Sequence, residues 1–177
     1  IDGIVAHAEV YRFDGVDIDY EGKPAESREH FSAFLQELSA RLRAQKKILS
    51  CTIEARTPLS SRFTVIPADL EYANDYVAIN RYCDEVNIMA YDQRDVDIIL
   101  NAQKGKGGLP YLPVADREWV EKVIQETVKT IDKKKIRLGV PTFGYEYEMV
   151  LGKSDTGLVA GGYSRLRSIT YRDFDGL

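Results

Sequence analysis

Residues Asp14 to Glu21, DGVDIDYE, place three carboxylates, Asp17, Asp19 and Glu21, at every second position. In extended backbone that period puts all three on one side with Gly15, while Val16, Ile18 and Tyr20 take the other. Like charges so close disfavour joint ionisation, and no Lys or Arg stands within the run to relieve them. Two kinds of chemistry use such a row. One is proton transfer by an acid whose pKa its neighbours raise. The other is coordination of a divalent cation such as Mg²⁺ or Ca²⁺, although no further acidic or His ligand motif accompanies these three. A polar lining without chemistry is the third reading.

The surrounding sequence supplies elements to hold the row. Residues Ile4 to Phe13 read as the end of a helix that leads into the acidic strand. Ala25 to Arg43 reads as an amphipathic helix, with Phe31, Phe34, Leu35, Leu38 and Leu42 at helical spacing and Pro24 just ahead of it. Ile48 to Ile53 is a second strand. Leu70 to Tyr82 reads as a helix with Leu70, Ala73, Val77 and Asn80 along a stripe, followed by a third strand over Val86 to Tyr91. A long loop containing Gly105 to Pro113, GKGGLPYLP, comes next. Asp116 is placed to cap a helix running to Ile131, burying Val120, Val123, Ile124, Val128 and Ile131. Lys133 to Lys135 then suit that helix's negative pole, and Ile136 to Pro141 gives a fourth strand.

Strand and helix alternate throughout, which predicts an α/β fold with a parallel sheet. A doubly wound sheet and a TIM barrel both fit. The barrel is favoured because polar residues gather at the C-terminal ends of the first and third strands, and no Gly-rich phosphate loop follows any strand. A closed barrel needs eight strands and about 250 residues, so this chain holds about half of one.

Composition excludes several classes. The 177 residues are 44% hydrophobic and 29% charged, with net charge −4, the profile of a soluble globular protein with one core. Mild acidity without a basic patch argues against nucleic acid, and no apolar run reaches the roughly 20 residues that span a bilayer. Nothing at the start resembles a signal peptide, but the chain opens on Ile1 in mid-helix sequence, as an internal segment of a longer protein would. Cys51 and Cys83 read as buried free thiols, or as a disulfide in an oxidising compartment. His7 and His30 lie on separate helices without metal-ligand spacing, and neither a metal nor a cofactor is expected.

Three segments carry a family resemblance. Asp14 to Glu21 resembles the DGxDxDxE signature of the family-18 glycoside hydrolases, the chitinase family. Met89-Ala90-Tyr91-Asp92 resembles its MxYD segment, and Leu138 to Gly144, LGVPTFG, resembles its LGxPxYG strand. Order and spacing agree over nearly the whole chain. The resemblance implies barrel strands four to seven of a chitinase-type (β/α)8 barrel over residues 1–145. Residues 146–177 would begin the small α+β insertion after strand seven.

The same resemblance assigns roles. Glu21 protonates the departing glycosidic oxygen and later activates water. Asp19 holds the substrate's acetamide, Asp17 shares a proton or hydrogen bond with Asp19, and the Tyr91 hydroxyl supports the acetamide oxygen. Met89, Asp92 and Tyr145 would contact sugar; Asn87 shares a face with Met89 and Tyr91, or simply hydrogen-bonds inside the barrel. Without the resemblance, Tyr91 is ordinary barrel filling and Asp92 a turn residue. Two positions depart from the family: Phe143 stands where Tyr is common, and Tyr145 where a basic residue is. Tyr111 and Tyr147 are further candidates for stacking on sugar, and Trp119 is expected in the core.

The implied activity is retaining cleavage of β-1,4 links in chitin or related N-acetylglucosamine polymers, by a secreted or cell-surface protein. A non-catalytic chitinase-like lectin, or a member that cleaves peptidoglycan or N-glycans, is the alternative. The 177 residues alone would have little activity and would self-associate through open strand edges.

Overall fold

Alternation along the strands sorts polar and apolar side chains onto opposite faces of a parallel sheet. The computed structural model describes residues 1–94, 96–107, 109–154 and 157–174. The chain divides into two units: Ile1–Arg56, Pro67–Met89 and Ile124–Gly139 form the first, and Thr57–Ile66, Ala90–Val123 and Val140–Leu177 the second.

The first unit contains α1 (Asp2–Val10), β1 (Gly15–Asp19), a 3₁₀ turn (Ala25–Ser27), α2 (Arg28–Ala44), β2 (Ile48–Glu54), α4 (Tyr76–Tyr82), β3 (Glu85–Met89) and β4 (Ile136–Leu138). The four strands are parallel and lie in chain order, β1-β2-β3-β4. Register aligns Asp17 with Ser50, Asp19 with Thr52, Thr52 with Asn87 and Glu54 with Met89, so one face is almost wholly polar. On the other face Leu49, Cys51, Ile53, Val86 and Ile88 are at most 1% exposed. Helix α2 packs on β2 and α4 through buried Phe31, Leu35, Leu38 and Leu42, each contributing roughly 1.5–3 kcal/mol of apolar burial. Gly15 is required for the first pairing, because a Cβ there would stand 2.5 Å from the Ile48 carbonyl oxygen.

Several expectations are corrected here. Cys51 and Cys83 are not free thiols but a disulfide, with Cα atoms 6.0 Å apart. It ties β2 to the end of α4 on the apolar face. Helix α4 starts at Tyr76 rather than Leu70, because the Asp75 carboxylate caps it, accepting from the Val77 and Ala78 amides. Arg56 holds the Asn74 carbonyl and Glu54 the Asn74 amide, which draws the preceding segment to the end of β2. The buried stripe of α4 is therefore Tyr76 and Ile79, while Val77 is 67% exposed. Strand β3 ends at Met89 and β4 at Leu138, short of Tyr91 and Pro141. Lys135 does not sit on the last turn of the helix before it: its ammonium bonds the Asn80 and Cys83 carbonyls at the end of α4.

The second unit holds α3 (Leu59–Arg62), α5 (Ile98–Lys104), β5 (Phe143–Ser154), β6 (Gly157–Thr170) and α7 (Tyr171–Phe174). Helix α6 (Arg117–Thr127) divides at Val123/Ile124, its first part belonging to this unit. Its end at Thr127 leaves Val128 exposed, against the expected burial, whereas Trp119 (2% exposed) is in the core as expected. Helix α5 was not anticipated. It begins at Asp97, whose fully buried carboxylate accepts from the Leu100 amide at 3.0 Å and from Lys122 at 2.6 Å, binding α5 to α6. Strands β5 and β6 form a long antiparallel hairpin with irregularities at Glu146/Tyr147 and Val150/Leu151.

Candidate active site

Asp17, Asp19, Glu21 and Met89 fall in the first unit; Tyr91, Asp92 and Tyr145 fall in the second. In the first, β1 carries Asp17 and Asp19 on the polar face, and the chain leaves the strand before exposed Glu21. Asp17 is fixed by two neighbouring strands. Thr52 donates to its Oδ2 at 2.7 Å and the Asn87 amide donates to its Oδ1 at 3.0 Å. Asn87 also lies 3.0 Å from Ser50 Oγ and 3.2 Å from Thr52 Oγ1, so one amide links three strands. Asp17 is thus held by Thr52 and Asn87. Met89, at the end of β3, is half-buried beside Glu54 in register.

Lys23 was missed in the sequence because it lies two residues beyond the row. Its ammonium donates to the Tyr20 carbonyl and sits 4.4 Å from the centre of the Phe31 ring. Burial lowers its pKa, and the nearby carboxylates of Glu54, Asp19 and Glu21 pull partly the other way. A cation therefore stands among the acids after all. Arg56 was missed too. Its guanidinium lies 3.9 Å from the ring centres of both Tyr72 and Tyr76, and burial lowers its pKa.

In the second unit an aromatic ladder runs from the motif tyrosine along the hairpin. Tyr91 meets Phe143 edge-on at 5.9 Å, Phe143 meets Tyr145 at 5.5 Å, Tyr145 meets Tyr147 at 6.3 Å, and Tyr147 meets Tyr163 at 6.0 Å. The Tyr145 hydroxyl donates to Asp92 Oδ1. Burial, then that bond, raises the Tyr145 pKa; burial likewise raises that of Tyr147, whose hydroxyl is buried without a hydrogen-bond partner. Arg165 and Arg94 lie 4.7 and 5.8 Å from the centre of the Tyr145 ring. Pro141, Thr142, Phe143, Tyr145, Ile169 and Thr170 line an adjoining cavity of about 610 Å³.

Asp92 and Arg94 have φ of 60° and 42°, a left-handed backbone that costs non-glycine residues about 1–2 kcal/mol each. Gln93 between them holds the turn. Its buried side chain accepts from the Asp116 amide at 2.7 Å and donates to Asn101 at 3.2 Å, while Asn101 donates to the Arg94 carbonyl at 2.6 Å. Tyr111 does not join the ladder; its hydroxyl donates to Asp116. No sequence pattern marked Arg94 or Arg165, which are far apart in the chain and meet at one ring.

Among the described residues, no group of three or more His, Cys, Asp or Glu is placed to hold a metal ion, and no helix is long and apolar enough to cross a membrane. The sequence pattern of Glycosyl hydrolases family 18 matches residues 1–174. The uncharacterized glycosylase YvbX of Bacillus subtilis (strain 168) is 26% identical over 155 residues, 88% of this chain and 40% of that protein. Among solved structures, a chitinase from Chromobacterium violaceum ATCC 12472 superposes with a TM-score of 0.68 at 22% identity, over 99% of this chain and 46% of that one. The Bacillus cereus spore cortex-lytic enzyme SleL gives 0.67 at 23% identity, over 99% and 34%. At these identities the structural likeness is one of fold. The chain spans less than half the length of each of these relatives.

Proposed function

We propose the reaction from one premise: the chain belongs to family 18 of the glycosyl hydrolases. The complete protein is a retaining hydrolase of β-1,4-linked N-acetylglucosamine polymers, of which this chain supplies strands four to seven of a (β/α)8 barrel. The four-stranded parallel order and the polar sheet face support that placement, since such a face suits a barrel interior. The observation that carries the function is the acid row. Asp17 is anchored through both oxygens, while Glu21 lies exposed beyond the strand end.

Glu21 gives its proton to the glycosidic oxygen as that oxygen's bond to the anomeric carbon breaks. The substrate's own acetamide oxygen closes onto the anomeric carbon from the opposite face. This is the substrate-assisted exception to the two-carboxylate scheme. Asp19 accepts from the acetamide N–H and offsets the positive charge of the resulting oxazolinium ring. Glu21, now a carboxylate, takes a proton from water, which opens the ring at the anomeric carbon with net retention. Asp17 orients the row through Thr52 and Asn87. Tyr91 supports the acetamide oxygen, and Met89, Asp92 and Tyr145 contact the sugar. A non-catalytic lectin would have no use for an acid at position 21. No cofactor enters the scheme. The disulfide supports a secreted or cell-surface location, where such bonds persist.

The test replaces the acetamido group of an aryl oligosaccharide substrate by its mono-, di- and trifluoro derivatives. Turnover by the complete protein falls steeply as fluorine weakens the acetamide oxygen. A rate indifferent to fluorine assigns the nucleophile to the protein or to water and ends the reading.

A further inference from the structure

Strand β1 ends at Asp19, so its ladder does not reach Glu21, two residues on. The chain bends there. Gly22 has φ of 64°, and a Cβ on it would meet nothing within 4 Å, so the left-handed backbone alone calls for glycine. Among the described residues no backbone hydrogen bond closes this bend. Lys23 closes it with its side chain. The ammonium reaches back to donate to the Tyr20 carbonyl, joining the residue before Glu21 to the second residue after it. It also lies 4.4 Å from the centre of the Phe31 ring and 5.0 Å from that of Tyr20, and the two rings meet edge-on at 6.2 Å. Phe31 is buried on α2, so the bend is tied to the helix that packs on β2.

Three carboxylates stand near this half-buried cation: Glu54 on β2, Asp19 and Glu21. Among the described residues none forms an ion pair with it, and its hydrogen bond goes to the main chain instead. A lysine placed to neutralise the row would touch a carboxylate; this one is placed to hold the backbone between them. That backbone carries the proton donor. A donor must stand within hydrogen-bond reach of the oxygen it protonates, and a displacement of about 1 Å can cost ~100-fold in rate.

We infer that Lys23 is a positioning residue for the reaction: by clasping the Tyr20 carbonyl against the Phe31 ring, it holds the bend that presents the Glu21 carboxyl to the departing oxygen. The inference rests on the hydrolase reading for the role of Glu21, and on the Lys23 contacts for the clasp.

The experiment compares kcat/KM of the complete protein on two substrates built from one N-acetylglucosamine oligosaccharide. In one the leaving group is a sugar hydroxyl, which must receive a proton; in the other it is dinitrophenolate, which departs without one. In Lys23→Met, kcat/KM for the sugar leaving group falls ~10-fold or more, while that for the dinitrophenyl glycoside stays within about 2-fold. Lys23→Arg keeps a cationic donor over the ring and restores the first value to within about 3-fold of the unsubstituted protein. An equal fall on both substrates marks a general structural loss and overturns the inference. No fall on either substrate, or a Lys23→Arg as impaired as Lys23→Met, overturns it as well. If Lys23→Met does not fold, Lys23→Arg and the unsubstituted protein decide. In the latter, the Lys23 ε-methylene protons shift upfield in the NMR spectrum under the Phe31 ring current; unshifted protons overturn the clasp. Failure of the unsubstituted protein to cleave either substrate ends the hydrolase reading, while the ring-current shift still registers the clasp.

Discussion

Breaking the Cys51–Cys83 link should cost the protein much of its stability. The two residues are separated by 32 positions, and closing a loop of that length in the unfolded chain removes entropy equivalent to about 4 kcal/mol at 25 °C. Domains of this size are stable by only about 5–15 kcal/mol, so the bond accounts for a large share. Both sulfurs are buried, at 1% and 0% residue exposure, and the bond joins the middle of β2 to the residue that ends α4. Replacing both by alanine removes the cross-link without placing a polar group in the apolar layer. With a urea slope of about 2 kcal/mol per molar, the unfolding midpoint of Cys51→Ala/Cys83→Ala should fall by ~2 M. Thiol titration of the unsubstituted protein should detect no free thiol from this pair until it is both unfolded and reduced. Titratable thiols in the native protein, or a midpoint shift below about 0.5 M at unchanged slope, would refute the reasoning.

Two further outcomes follow from the hydrogen bonds. Thr52→Val removes the 2.7 Å donor to Asp17, and kcat of the complete protein should fall about tenfold with KM nearly unchanged; an unaltered kcat would remove Asp17 from the positioning role. Burial alone would raise the Asp116 pKa, but bonds from Lys104, Tyr111 and the Glu118 amide outweigh it and hold the pKa at about 2. Because the folded value lies below the unfolded value of about 3.9, the contribution is full above that pH and is lost as pH falls toward 2. Lys104 is partly solvated, so it amounts to ~1 kcal/mol, and the stability gap between the protein and Asp116→Asn should narrow from pH 6 to pH 2.5. A gap independent of pH would contradict that cause.

Period-two alternation in β1 and the shared face of Asn87 and Met89 in β3 made part of the polar sheet face legible in the sequence, whereas the polar face of β2 was not read, and the i, i+3, i+4 spacing of Phe31, Leu35, Leu38 and Leu42 marked α2. Tertiary contacts hid the rest. Helix α4 is shortened because Asn74 and Arg56 engage across the end of β2, contacts that span sequence distances no local pattern reports. Helix α5 is tied down by the buried Asp97–Lys122 pair, a contact between residues 25 positions apart. The acids of the candidate site were visible because they stand in one short run, Asp17 and Asp19 on β1 and Glu21 just past its end. Lys23, Arg56, Arg94 and Arg165 were not, since each acquires meaning only from the ring or carboxylate that folding brings to it.

The central claim is that Glu21 moves the proton, and the direct measurement is the turnover of Glu21→Gln in the complete protein beside its affinity for an N-acetylglucosamine oligosaccharide. Glutamine keeps the shape and cannot donate, so kcat should drop by about 10²–10⁴ while Kd changes little. Turnover at the unsubstituted rate would contradict the account, because the proton would then come from another group.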